Sequence, residues 1–445
     1  MKLTFENVGK VAKAEIEVES ITVIAGANDT GKSTVGKILY SIYTALNELT
    51  PEKLLENKVK SIRNDEEKIM HLLDLEESLF DDPEVIEFVE SGRYFALEEG
   101  DVKLFNNHKS KSFENLFNAN IKDWVEMLKT ALKDKELKWG KKQIEAIFQD
   151  MLIKADTKSD SKIIQLLSIQ DVVLSEFSGS LTTELCESAP AKIVLEEEDG
   201  HRMEFEFLAN EIDDTTSRIE KIKAYAQPLY IDNPFILDEL NKRKRSAEGD
   251  SYSNKNKLIN LIEQQPKLNA FEKVLESKKL RTLFDSVIEG RIIKTGWRYQ
   301  YKTKKMRNPV DIESLSTGMK SFAILKMLFD SQKLDKCELL ILDEPEVHLH
   351  PEWQLKYAEL AVLLASERHM KVLITSHSPY FIQAIELYSK KYKLNQFVHY
   401  YRAENKTNEM SEIVDMTARL EELYEDMALP LRFLTEMREE LADEE

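Results

Sequence analysis

Eight consecutive residues, Gly26-Ala27-Asn28-Asp29-Thr30-Gly31-Lys32-Ser33, spell a complete GxxxxGKS loop, and nothing else in the chain limits its fold so strongly. Glycine lets the backbone curl until successive N–H groups point inward, and a helix starting after the loop aims the positive end of its dipole at an anion in the curl. Lys32 can then reach the outer phosphates of a nucleotide, and the Ser33 hydroxyl can hold Mg²⁺. Thr34 follows at the same helix start, and Asn28, Asp29 and Thr30 form the body of the loop. The flanks fit this reading. Ile21–Ala25 is a short apolar strand, and Val35, Ile38, Leu39, Ile42 and Leu46 recur at the spacing of a helix packed on a sheet. A surface glycine turn ahead of an ordinary helix is the alternative, disfavoured by the strand before and the helix after. The loop implies a bound nucleoside triphosphate with Mg²⁺.

A chain of 445 residues predicts two or three domains with a large core. No apolar run approaches the ~18 residues of a membrane span, and Met1-Lys2-Leu3-Thr4 opens a strand rather than a signal peptide. A soluble, cytoplasmic protein without a membrane partner is expected. Cys186 and Cys337 supply neither a disulfide framework nor a Cys-rich metal site. The net charge of −19 argues against coating nucleic acid with the whole surface. Cations nevertheless gather between 242 and 307, with Lys242, Arg243, Lys244 and Arg245 adjacent, while 416–445 is acidic. Such a run is usually only a solvated face; a surface for nucleic acid or an acidic partner is the other reading.

Pattern changes divide the chain. Residues 1–46 read as strands, P-loop and helix, the first part of an α/β head. Residues 47–190 turn helical and charged, with Ile121, Trp124, Val125, Leu128 and Leu132 on one face, and predict an inserted helical domain. Strands resume in 191–240, where Asp199-Gly200 marks a hairpin and Leu229–Asp232 a further strand. Residues 241–289 read as a basic linker or helical segment containing a mobile loop, 245–257. Residues 290–415 hold the rest of the head, and 416–445 an acidic helix. On that helix Leu423, Tyr424, Met427, Leu431 and Leu434 either pack on the head or dock a partner.

At Leu339-Leu340-Ile341-Leu342-Asp343-Glu344-Pro345 an apolar strand runs into two carboxylates. Asp343 would complete the Mg²⁺ shell, and Glu344 would act as general base or position water. Leu315-Ser316-Thr317-Gly318-Met319-Lys320-Ser321 lies about 25 residues upstream and opens a helix. By itself this is equally a serine N-cap with a glycine nearby. Downstream, Val372–Thr375 is a second apolar strand, ending in Ser376-His377-Ser378-Pro379.

In this order the motifs resemble those of ABC-type ATPase heads. The resemblance implies that Ser316 and Gly318 complete the site of a neighbouring subunit in trans, that His377 contacts the γ-phosphate, and that Glu346–Pro351 forms a subunit-contact loop. His348 and His350 in that loop lack a third ligand at zinc spacing. Gln227 is only a weak candidate for the family's glutamine loop. The resemblance is closest to bacterial ABC-like ATPases of the AAA-family and OLD-like kind, related to SMC heads, and covers 1–46 and about 290–415. That group includes the ATPase subunits of two-gene phage-defence systems such as PARIS and Septu, and the OLD nucleases, whose Toprim domain follows the head. About 68 residues follow His377, too few for Toprim and a linker. The implied function is an Mg-ATP-driven homo-oligomeric sensor that controls a separate nuclease or toxin. The alternatives are an SMC-like clamp on DNA, a transporter ATPase, which the insert and the His-Leu-His-Pro loop disfavour, and ATP held as structural glue.

Overall fold

Ile21–Ala25 is buried at every residue, which a strand tolerates only when both faces of its sheet are covered. The computed structural model describes residues 1–74, 110–133, 141–159, 161–182, 189–219, 226–242, 253–264, 277–406 and 410–443. Two compact units divide it, one of residues 1–47 with 169–445, the other of 48–168.

The first unit opens with strands β1 (Lys2–Val8), β2 (Val11–Glu17) and β3 (Ile21–Gly26), and continues with β4 (Ala191–Glu196), β5 (Arg202–Leu208), β6 (Glu211–Ile212) and β7 (Leu229–Ile231). It ends with β8 (Arg291–Thr295), β9 (Arg298–Lys302), β10 (Val310–Asp311), β11 (Leu339–Asp343), β12 (Lys371–Ser376), β13 (Val398–Asn405) and β14 (Ser411–Asp415). Among the described residues, eleven of these form one sheet in the order β6-β5-β4-β1-β2-β14-β13-β3-β12-β11-β7, and β10-β9-β8 form a second. From β6 to β2 every pairing is antiparallel, whereas β13, β3, β12, β11 and β7 run parallel. The antiparallel strands alternate, as in the Met203, Phe205 and Phe207 row of β5, whereas β3, β12, β11 and β7 in the middle of the parallel part are buried along nearly their whole length. The Asp199-Gly200 hairpin forms with Leu195 opposite Met203.

Helices cover the parallel strands, among them the P-loop helix Lys32–Glu48, the signature helix Thr317–Asp330, and Pro351–Arg368 and Pro379–Lys391. The fold is thus the mixed α/β kind that the P-loop requires. Residues 241–289 contribute two helices, Asn254–Glu263 and Lys278–Val287, whose Leu258, Ile259, Ile262, Leu280 and Phe284 join the main core. Of the two readings, linker or helical segment, the described residues take the helical one, with cations interleaved among apolar residues at helical spacing. Of the expected loop 245–257, residues 245–252 lie outside the described set, and 254–257 open a helix. The end of the stretch read as insert also belongs to this unit. The Gln170 side chain accepts from Ile212 N–H at 2.7 Å, and the Leu181 carbonyl accepts from Gly9 N–H at 2.8 Å.

The second unit packs helices Pro51–Asp74, Ser110–Leu132 and Lys141–Asp156 round Ile62, Ile69, Trp124, Leu128, Phe148 and Met151. Two charges sink into it with partners. Asp65 accepts from Lys68 and Lys154, and Lys58 donates to Glu114 at 2.9 Å and to the Thr157 carbonyl at 2.7 Å.

At the C-terminus, helix Leu420–Asp443 buries Leu423 and packs Tyr424 and Met427 on the head, while Leu429, Phe433 and Leu434 stay exposed. The Leu431 side chain lies outside the described set. Among the described residues no helix is long and apolar enough to cross a membrane.

Candidate functional site

Strands β3, β12 and β11 lie side by side and parallel, so Gly26, Ser376 and Asp343 emerge at one rim of the sheet. That rim is where parallel α/β sheets bind ligands. The loop after β3 needs its glycines. Gly26 has φ 154°, and a Cβ there would lie 2.5 Å from the Ala403 carbonyl. Gly31 has φ 78°, and a Cβ would lie 2.5 Å from the Val11 side chain. Asp29, also left-handed at φ 61°, pairs with Lys10 at 2.6 Å, and Thr30 Oγ1 donates to the Ala27 carbonyl at 2.9 Å. Thr34 lies in the first turn of the helix, its N–H on the Gly31 carbonyl at 3.1 Å.

Lys32 is almost fully buried, and its Nζ donates to the Ala27 carbonyl at 2.7 Å and lies 3.1 Å from Glu344 Oε1. Ser33 Oγ donates to Asp343 Oδ1 at 3.0 Å. A hydroxyl and a carboxylate this close, beside a P-loop, are the hard oxygen donors that suit Mg²⁺. Two residues not singled out from sequence hold Asp343 in place. Tyr230 donates to its Oδ2 at 2.8 Å, and Thr375 donates to its Oδ1. Burial and the adjacent Asp343 push the Tyr230 hydroxyl far above its usual range, so it stays a donor. Asp232, at the end of β7, lines the same cleft as Ser33, Asp343 and Glu344. Desolvation in the cleft, with Asp343 nearby, raises its carboxyl.

Glu344 sits at φ 46°, a region that glycine favours, and its N–H is held by the Thr375 carbonyl at 3.1 Å and hydroxyl at 3.0 Å. The strained turn points its carboxylate back to Lys32 and places it 3.9 Å from His377 Nδ1. His377 itself remains half-open to solvent. Beneath it Glu346, buried, accepts from Ser376 Oγ at 2.5 Å and from His377 N–H at 3.0 Å. Ser378 Oγ donates to Gln354 Oε1 at 2.9 Å, and Gln354 in turn donates to the Leu349 carbonyl at 3.2 Å. Desolvation raises the Glu346 carboxyl, and the Ser376 contact only partly offsets it.

The structure therefore brings Gly26, Lys32, Ser33, Asp343, Glu344 and His377 together. Ser316 caps the signature helix, its Oγ accepting from Met319 N–H at 3.4 Å, and Gly318 lies against the His348 carbonyl and Trp353. His350 caps the next helix by accepting from Glu352 N–H, and His348 meets Phe235 edge-on at 5.8 Å. Gln227 precedes β7 at the end remote from the cleft, because β7 runs parallel to β11 with Leu229 opposite Leu340. The cleft end of β7 carries Asp232 and Asn233 instead. Among the described residues one cluster of three potential metal ligands occurs, Glu17, Glu19 and His399, at the opposite end of β3 from the P-loop.

The chain is 30% identical over 117 residues to an OLD nuclease of Thermus scotoductus, an overlap of 25% of this chain and 22% of that one. It thus spans about a fifth of that relative. The SMC head domain from Thermotoga maritima is similar at 12% identity and a TM-score of 0.37, covering 93% of this chain and 97% of that one. A Pyrococcus furiosus SMC head with an extended coiled coil, bound to the C-terminal domain of ScpA, gives 10% identity and a TM-score of 0.30, with 98% of each chain covered. Scores this low leave those two likenesses without weight. The family described as AAA ATPase domain matches residues 1–382, so the chain belongs to that family, with its motifs in the order of an ABC-type head.

Proposed function

We propose that this chain is an Mg-ATP-driven switch that closes as a dimer or larger homo-oligomer and controls a separate effector, a nuclease or toxin, in defence against phage. The observation that carries the ATPase part is the meeting of Lys32, Ser33, Asp343 and Glu344 at one sheet rim, within 3.1 Å along each link named above. Ser33 and Asp343 would hold Mg²⁺, which would neutralise charge on the phosphates. Lys32 binds the outer phosphates, and in doing so it exchanges Glu344 for phosphate oxygen. Glu344, released from that ion pair, orients and deprotonates the attacking water. His377 lies 3.9 Å from Glu344, a position from which it would contact the γ-phosphate.

Dimer closure is the reading that the signature motif supports. Ser316 and Gly318 open a helix against the loop at His348, which supports a site finished by a second chain. The defence role rests on the resemblance to two-gene defence ATPases. A DNA-clamping ATPase would share the same chemistry and differ in what the closed heads hold.

Mixing two inactive variants tests sharing in trans. Lys32→Ala and Ser316→Arg homodimers each carry two broken sites, whereas the heterodimer carries one site with both lesions and one with neither. ATPase activity regained on mixing is expected. No recovery, despite heterodimers seen by native mass spectrometry, would mean that each chain holds a complete site.

A further inference from the structure

A surface outside the ATP site has its own chemistry. Residues 291–307 contain seven Lys or Arg and no Asp or Glu, in a chain of net charge −19. They form the hairpin of β8 and β9 and the segment after it. The register separates its two faces. Ile292 and Lys294 pair with Tyr301 and Tyr299, whose rings are buried, so these four share the inner face. Lys294 lies over the Tyr299 ring at 4.9 Å.

On the outer face Arg291 stands directly opposite Lys302. Like charges directly opposite across a strand pair repel each other unless an anion sits between them. The nearby acids are already engaged. Three of them line the same groove as the cations: Glu289 pairs with Lys305 at 3.1 Å, Asp285 with Lys326 at 2.7 Å and Asp330 with Arg281 at 3.5 Å, while Asp311 pairs with Arg298 at 2.9 Å. Arg291, Lys302 and Lys304 meanwhile line the groove beside the hairpin. At the tip Trp297 is 42% exposed, with the Arg298 guanidinium 4.8 Å from its ring.

We infer that the β8–β9 hairpin binds single-stranded nucleic acid, its outer cations on successive phosphates and Trp297 stacked on a base. Charge complementarity selects a polyanion. The exposed Trp–Arg stack selects one with flat aromatic groups, which an acidic polypeptide lacks. The cations of the groove and the exposed ring at the hairpin tip lie at opposite ends of β8 and β9, a spread that suits an extended strand rather than a small ligand. The site is separate from ATP chemistry and stands if that reading fails.

Fluorescence anisotropy with a labelled single-stranded oligonucleotide of about 30 residues tests it on the full chain, without ATP or Mg²⁺. Three phosphate contacts, at Arg291, Lys302 and Lys304, predict a loss of roughly 20-fold in affinity between about 50 and 200 mM salt. Reversal of Arg291, Lys302 and Lys304 to Glu lowers affinity at least about tenfold and the salt slope by about 2. Trp297→Ala lowers affinity about tenfold and leaves the slope unchanged. Should the triple reversal fail to fold, Lys302→Gln with Lys304→Gln carries the same test with a smaller slope change. Absent binding at low salt, or variants that bind as the parent does, would overturn the inference. A duplex that binds more tightly than the single strand, or poly-glutamate that displaces the oligonucleotide at equal charge, would overturn it too.

Discussion

At the scale of single residues, the catalytic assignment turns on Glu344. Replacing it with Gln keeps phosphate and metal ligands but removes the base, so turnover falls about 10²-fold or more while ATP still binds. Lys32→Ala removes a direct phosphate contact and weakens ATP binding instead. Steady-state hydrolysis and nucleotide titration on both variants check the division, and equal ATP affinity in the two would contradict it. Glu346 allows a second test, in pH. Its carboxyl is raised in the folded chain, so the unfolded chain ionises first as pH climbs past about 4.3. Stability is lost between that pH and the raised folded value, and the penalty is complete above it. Glu346→Gln keeps an acceptor for Ser376 and His377 without the charge, so its stability relative to the parent rises from pH 5 to pH 8. Glu346→Ala instead loses about 2–3 kcal/mol, because two buried donors go unpaired. Urea midpoints at the two pH values distinguish these outcomes.

At the scale of elements, legibility followed period and punctuation. The P-loop, β11 and β12 were plain because short apolar runs ended in glycines or carboxylates at fixed spacing. The Asp199-Gly200 hairpin was plain for the same reason. Helices Asn254–Glu263 and Lys278–Val287 were obscured by their charge, since Lys and Arg can cover an apolar face with their stems. Tyr230 reads in the sequence only as part of a strand and Glu346 only as part of a contact loop, because their roles come from contacts 113 and 30 residues away. No local pattern records such distances. The inserted unit carries its own test at Asp65. Burial alone would raise this carboxyl, but Lys154 and Lys68 overrule it and hold it below its usual range. Its contribution is therefore present at neutral pH and is lost as pH falls through that lowered value. Asp65→Ala should cost about 2 kcal/mol at neutral pH and little under acid conditions. Hydrogen exchange on residues 55–73 reads this out, and unchanged protection at neutral pH would refute the role.

At the scale of the whole molecule, two places among the described residues offer carboxylates to a metal, and the Asp343-Glu344 pair is already used by ATP chemistry. Glu17, Glu19 and His399 form the other cluster, with Glu17 largely exposed. We predict that the purified chain leaves plasmid DNA intact with ATP and either Mg²⁺ or Mn²⁺. Cleavage that survives repurification and persists in Glu344→Gln would reveal a nuclease centre of its own. The backbone at Glu344 bears on the molecule's history as well. A left-handed residue other than glycine costs about 1–2 kcal/mol, a sizeable share of a typical domain's margin. Mutation should therefore press steadily toward glycine at this one position, with opposing selection for turnover keeping the carboxylate. In a lineage that came to use ATP only as a clamp, that opposition would lapse. Loss of hydrolysis would then appear as a gain in thermal endurance, and a glycine after the strand-ending aspartate would mark a descendant that had stopped burning ATP.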